Sequence, residues 1–252
     1  MVLKPGKPLE QLTSYRLISL LPSISKLFEK QLLKRLKPLI KERQLIPEHQ
    51  FGFRNKPSTI DQVHRVINVI SKALEEKKYC SGLPHTWCAF FVSFLAERQI
   101  RVIDWKNISA GVPQGSVIGS ILYLLYTADI PTKNYSMTAK FADDTAMITT
   151  NEDQQTATDW LQRSINNISN WTKRWKIKIN SEKSVHVNYT LRKTVYKPVL
   201  LDQQSIPQCD SEKYLGMHLH FRLNWKHHAR QKKMQIKRKC DNYIDWSENI
   251  PN

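Results

Sequence analysis

The stretch MTAKFADDTAMIT, residues 137–149, decides how the rest of the chain is read. Alternating apolar residues, Met137, Ala139 and Phe141 in one arm and Ala146 and Ile148 in the other, flank Asp143-Asp144. A period of two, broken by two turn-compatible residues, predicts a β-hairpin of Met137–Ala142 and Thr145–Thr149 with the acidic pair at its tip. A carboxylate there faces outward on a rigid ladder, as a hard metal ion requires. Aspartate is also simply a good turn residue, so the pair alone leaves both readings open.

Composition narrows the classes. With 252 residues, 40% apolar and 24% charged, the chain holds a core and is not a disordered composition. A net charge of +17 points to a polyanionic partner, nucleic acid before membrane. The amino-terminal MVLKPGKPLE lacks the apolar core of a signal peptide, and the longest apolar stretch, 117–128, is too short and interrupted to span a bilayer. Cys80, Cys88, Cys209 and Cys240 form no C-x-x-C pair. They suggest buried thiols in a reducing, intracellular setting, with nucleus and cytoplasm not distinguished.

Taken in order, the chain predicts a strand over Tyr15–Leu21 and a helix over Ser25–Leu36, with Pro38 and Pro47 bracketing a second short helical piece. Gln50–Arg54 is a loop with aromatics around a glycine. Ser58-Thr59 opens an amphipathic helix with Ile60, Val63, Ile67, Ile70 and Leu74 on one face. Tyr79–Gly82 starts as a strand but runs abruptly into a helix predicted over 84–97, with Pro84 in its first turn. Strands at Ile100–Ile103 and Trp105–Ile108 follow, then the corner Gly111–Ser116 leading into helix 117–126. After the hairpin come a helix over Thr156–Arg174, strands at 177–180 and 185–189, and a strand at 214–219. The tail has Trp225, Ala229, Ile236, Cys240 and Tyr243 at helical spacing. Its opposite face, Lys226, Arg230, Lys232, Lys233, Lys237, Arg238 and Lys239, is either solvated or meets phosphates.

Three features bear on chemistry. The corner Gly111–Ser116 places N–H groups at a helix N-terminus, which favours anions, though it also reads as an ordinary Pro/Gly corner. Lys4, Lys7 and Arg16 suit a triphosphate, or are surface charge. The Asp pair suits Mg²⁺, but phosphoryl transfer by two metals needs carboxylates from more than one chain position.

Tyr15–Leu21 with Lys26–Glu29, Gln50–Arg54 with Ser58–Asp61, Gly111–Gly119, Phe141–Asp144, Trp171–Lys183 and Tyr214–Gly216 occur in an order that resembles reverse transcriptases of non-LTR retrotransposons, most closely the jockey type of insects. The resemblance covers nearly the whole chain. It implies an α+β right-hand polymerase with an antiparallel palm sheet: residues 1–78 fingers-like, 79–220 palm-like, and 221–252 a truncated thumb-like basic helix. It implies that Asp143 is a metal ligand and Asp144 a ligand or its support, with Mg²⁺ or Mn²⁺ as the cofactor. Gly111, Pro113, Gln114 and Gly115 would line nucleotide and template, and Arg16 with Lys4 or Lys7 would meet the triphosphate. Lys183 would sit near the leaving pyrophosphate, and Tyr214-Leu215-Gly216 would grip the primer. RNA template, DNA primer and dNTPs would be the partners.

The departures matter as much. Relatives carry a strand of the type Phe-Leu-Asp beside the hairpin, then a helix opening Ala-Phe-Asp. Here the chain passes directly from Gly82 to Leu83. Between Asp61 and Asp129 the only acids are Glu75, Glu76, Glu97 and Asp104. Leu17 and Ser120 stand where proline is usual, and His220 where aspartate is usual. The expectation is a reverse transcriptase copy without its first metal-binding aspartate block, incomplete in the palm and inactive as written. The alternative is a non-catalytic nucleic-acid-binding remnant. The hairpin should then have one poorly paired side and little order near 79–84, whereas a strand inserted there from another segment would favour a working enzyme.

Overall fold

The computed structural model describes residues 2–3, 8–10, 14–16, 21–54, 58–88, 98–101, 105–108, 115–179, 181–192 and 197–248. Its centre is an antiparallel sheet built on the hairpin β6 (Ser136–Phe141) and β7 (Asp144–Asn151). β3 (Tyr79–Cys88) pairs with β7 from Tyr79↔Asn151 to Thr86↔Asp144. On its other side β3 meets β9 (Val187–Tyr189) at residues 80–82 and β8 (Lys178–Ile179) at Trp87 and Cys88. The hairpin therefore has a full partner where a poorly paired side was expected, and residues 79–84 are an ordered strand.

The first five residues of the helix expected over 84–97 are strand instead, and 89–97 lie outside the described residues. Pro84 has no N–H to give a ladder. It fits because, among the described residues, β3 has no second neighbour between its contacts with β9 and β8. An edge strand of the hairpin demands a partner more strongly than Pro84 favours a helical turn.

Helices cover both faces of this sheet. α2 (Thr59–Glu75) buries Val63, Val66, Ile70 and Ala73 against Ala139, Ala146, Ile148 and Tyr189. Its start is fixed by a capping box, with Ser58 Oγ accepting from the Asp61 amide and Asp61 Oδ2 accepting from the Ser58 amide. The buried stripe is rotated toward Gln62 and Val66, which leaves Ile60, expected inside, exposed. On the other face α4 (Gln154–Arg174) packs Leu161, Ile165 and Ile168 on Leu83 and Met147. β7 thus sends Ala146 and Ile148 one way and Met147 the other, so it is buried on both sides.

The remaining elements attach around this core. α1 (Ser23–Glu42) runs unbroken through Pro38, where a break was expected. Pro38 and Lys34, whose carbonyl the ring frees, are both on the solvent side, and Ile40 just beyond is buried with Ile118, Ile121 and Leu124 of the segment leading into and forming α3 (Gly119–Tyr126). Short pairs are β1 (Val2–Leu3) with β2 (Tyr15–Arg16), β4 (Arg98–Arg101) with β5 (Trp105–Ile108), and β10 (Leu200–Leu201) with β11 (Gln204–Ser205). The strand expected over 214–219 is instead a turn at Leu215-Gly216, joining β12 (Ser211–Tyr214) to β13 (Met217–His220). Both turn residues have positive φ, 46° and 88°. α5 (Lys226–Glu248) follows, with Ala229, Ile236 and Cys240 exposed rather than packed. Cys80 is buried, but Cys209 and Cys240 are exposed free thiols, so the expectation of buried thiols holds only in part. Among the described residues no helix is long and apolar enough to cross a membrane.

Candidate active site at the hairpin apex

The apex turn is Ala142-Asp143, with Phe141 and Asp144 the closing pair of the ladder. Asp144 thus begins β7 rather than sharing the tip. Ala142 has φ +56°, a conformation that costs a non-glycine residue about 1 kcal/mol and that surroundings must impose. Gln50 Oε1 accepts from the Ala142 amide (3.2 Å) and the Gly52 amide (3.0 Å). Tyr123 donates its hydroxyl to the Ala142 carbonyl (3.2 Å). Both backbone polar groups of the strained residue are pinned by side chains that arrive from distant segments.

The loop carrying Gln50 lies along the outer edge of β6. The Phe51 amide donates to the Lys140 carbonyl, and the Lys140 amide donates to His49. Gln62 Nε2 adds a second bond to the Lys140 carbonyl (3.0 Å), and Arg65 reaches the Thr138 carbonyl (3.4 Å). The approach is so close that a Cβ on Gly52 would lie 2.1 Å from the Ala142 nitrogen. This explains a glycine at this point in a chain with only 7 of them. Arg54, at the end of the same loop, is exposed, yet its guanidinium donates to the Pro47 and Gln50 carbonyls.

Asp143 is exposed and Asp144 half-buried. Their charges, added to a larger effect of burial, hold the Tyr123 phenol above its usual range, and Asp144 acts likewise on Tyr214. Lys140 is buried, with its ammonium donating to the Thr127 carbonyl (3.0 Å), and burial pulls its pKa down to about 7 against the opposing pull of Asp129.

The other expected site residues fall in different places. Tyr214 is buried and donates its hydroxyl to the Ala139 carbonyl (3.2 Å), which ties the Leu215-Gly216 turn to the apex hairpin. Lys183 is exposed in the short 3₁₀ turn Ser181–Lys183 between β8 and β9, across β3 from the hairpin. Arg16 lies in β2. Lys4, Lys7, Gly111, Pro113 and Gln114 lie outside the described residues. Gly115 is an exposed turn residue with φ +107°.

The end of the corner before α3 carries a carboxylate of the protein itself. Glu29 of α1 accepts from Ser116 Oγ (3.0 Å) and from the Val117 amide (2.7 Å). Gln50, Gly52, Gln62, Lys140 and Glu29 escaped the sequence reading as site residues. Gln50, Gly52 and Glu29 do lie in stretches that carry the family resemblance, and the scarcity of glycine marks Gly52 further; Gln62 and Lys140 have no such signal.

Among the described residues no group of three or more His, Cys, Asp or Glu stands close enough to hold an ion. The residue that the register places beside Asp144 is Thr86. The described residues by themselves do not complete a two-metal site.

Residues 2–219 match the family model described as reverse transcriptase (RNA-dependent DNA polymerase). The chain belongs to the reverse transcriptase family. Its relatives place it with the non-LTR retrotransposon polymerases. It is 35% identical to the probable RNA-directed DNA polymerase from transposon X-element of Drosophila melanogaster, over 95% of this chain and 30% of that protein. It is 35% identical to the probable RNA-directed DNA polymerase from transposon BS of the same organism, over 91% of this chain and 30% of that protein. It is 33% identical to the RNA-directed DNA polymerase from mobile element jockey, also of that organism, over 90% of this chain and 29% of that protein. The chain thus spans under a third of the length of these relatives. The three alignments run over 274, 270 and 266 positions, more than the 252 residues of the chain, so each reverse transcriptase relative carries residues with no counterpart here.

Proposed function

We propose that this chain is the polymerase portion of a jockey-type mobile element with an incomplete metal centre, which keeps the nucleic-acid-binding fold of a reverse transcriptase without nucleotidyl transfer. The observation that carries this reading is the pairing Thr86↔Asp144. Two-metal phosphoryl transfer needs carboxylates from separate strands. In the family the strand beside the acidic hairpin contributes one. The strand position is filled here, which preserves the geometric half of a working site, but threonine brings no carboxylate. The relatives carry residues with no counterpart here, and an internal block absent between Gly82 and Leu83 would account for part of them.

On this reading residues 1–78 are fingers-like, 79–220 palm-like and 221–252 the start of a thumb. Asp143 and Asp144 are the surviving ligands for Mg²⁺ or Mn²⁺. Lys4, Lys7 and Arg16 face a triphosphate. Gly111, Pro113, Gln114 and Gly115 line nucleotide and template, Lys183 stands toward pyrophosphate, and Tyr214-Leu215-Gly216 grips a primer. RNA template, DNA primer and dNTPs are the ligands the fold is shaped for.

Primer extension on an RNA template, with Mg²⁺ and with Mn²⁺, tests the loss of chemistry. The expected result is no extension. Extension that disappears in Asp143→Ala would overturn the reading. A Thr86→Asp variant should bind Mn²⁺ more tightly than the parent chain, read from the free-ion electron paramagnetic resonance signal.

A second reading, a remnant that only binds nucleic acid, is favoured by α5. Lys226, Arg230, Lys232, Lys233, Lys237 and Arg238 are all exposed on it. Salt-dependent binding to RNA or to an RNA–DNA hybrid supports this reading, and salt-insensitive or absent binding refutes it.

A further inference from the structure

α1 has three distinct sides. One, with Leu33, Leu36 and Ile40, packs on α3. A second holds Ile24, Phe28, Leu32 and Leu39, all exposed. The third is a single file of lysines, Lys26, Lys30, Lys34, Lys37 and Lys41, spaced four, four, three and four residues apart. At 3.6 residues per turn these five share one narrow stripe, about 22 Å long. All five are exposed. None belongs to an ion pair among the described residues. The acids of the helix are Glu29 and Glu42, and Glu29 is already committed to Ser116 and Val117. Four of the lysines, with Leu33 and Pro38, line a shallow groove. This concentration of unopposed positive charge is remote in sequence from the apex and from α5, and the function proposed above does not use it.

We propose that the Lys26–Lys41 stripe of α1 is a docking surface for the phosphate backbone of a nucleic-acid strand. The inference rests on the nucleic-acid reading above and adds a surface to it. Its shape selects the partner: a row one side chain wide, one lysine per turn, matches a linear polyanion. An anionic membrane is a plane and would engage the exposed apolar side, which lies roughly opposite the lysines. Lysine contacts to phosphate carry no sequence information, so the surface holds a strand without choosing its bases.

The test replaces all five lysines by glutamine, a good helix former, with circular dichroism to confirm that helix content is kept. A control chain carries Lys226, Arg230, Lys232, Lys233 and Lys237 replaced by glutamine. Binding of poly(U) RNA, of poly(dT) and of an RNA–DNA hybrid is measured against salt. Each phosphate neutralised contributes about 0.7 to the log–log salt slope on a single strand, so the α1 variant should lose about 3.5 of slope. Affinity should fall on the order of a hundredfold or more at about 0.1 M salt. A parent chain that binds with a slope the α1 variant leaves unchanged overturns this inference alone, most plainly if the α5 control removes the slope. A parent chain that binds none of the three probes overturns the nucleic-acid reading as well. Binding to phosphatidylserine vesicles that is abolished by Ile24→Ser with Phe28→Ser, with the nucleic-acid slope unmoved by the glutamines, would overturn it in favour of a membrane helix.

Discussion

Gln50 and Ala142 stand 92 residues apart in sequence and 3.2 Å apart at the acidic apex, where Gln50 Oε1 accepts the amide of the strained turn residue. The same oxygen accepts the Gly52 amide, so one side chain fixes both its own loop and the turn that presents Asp143. A segment expected to be a plain loop is thus the brace of the candidate site. It also covers the outer edge of β6, which would otherwise expose a row of unpaired backbone groups.

Gln50→Leu keeps the volume and removes both bonds. Two buried amides then lack acceptors, at about 1–3 kcal/mol each, so urea denaturation should show a loss of about 2 kcal/mol or more. Gly52→Ala should be at least as harmful, because its Cβ would overlap the Ala142 backbone at 2.1 Å. A change below about 0.5 kcal/mol in both variants would mean that the loop does not hold the apex.

Glu29→Ala should destabilise the chain by about 1–2 kcal/mol, because it strips the acceptor from the Val117 amide and from Ser116 Oγ just before α3. Glu29→Gln, which keeps one acceptor oxygen, should fall between parent and alanine variant. Equal stability of all three chains in thermal unfolding would separate α1 from that corner.

Acid should weaken the fold through His186. Its ring is fully buried, with Nε2 2.7 Å from Ser81 Oγ, and burial lowers its pKa to about 4 against an ordinary 6.5. Between these values the unfolded chain binds the extra proton. Stability is therefore unaffected by this group above pH 6.5 and falls as pH drops toward 4, by on the order of 3 kcal/mol in full. His49, also lowered to about 4, acts in the same direction. Urea midpoints from neutral to acid pH should fall in the parent chain and fall less in His186→Leu.

Lys140 should act on the alkaline side. Below pH 7 both folded and unfolded chains carry its ammonium, and the cost of burying that charge is fully present. Between pH 7 and 10.5 the folded chain releases the proton first, so stability rises with pH. Lys140→Met should therefore be more stable than the parent at pH 6, with the advantage shrinking toward pH 10. An advantage that is constant across this range would show that the lysine is not buried as a charge.

Sequence alone determined much of the frame. Period two around Asp143-Asp144 located the hairpin, and the Ser58 cap with its apolar face located α2. The ordered motifs identified the family. Such features are local: they depend on residues within a turn or two of one another and on alternation along one strand. What Tyr79–Cys88 becomes was decided by tertiary structure. Pro84 is compatible with a helix start or with a strand lacking a second neighbour, and only the demand of β7 for a hydrogen-bonding partner chooses between them. That pairing sets Thr86 beside Asp144, and separate long-range contacts bring Gln50 to Ala142 and seat Glu29 at the corner before α3. Those contacts join segments dozens of residues apart, and no periodicity within a segment encodes which distant backbone group its side chain will meet.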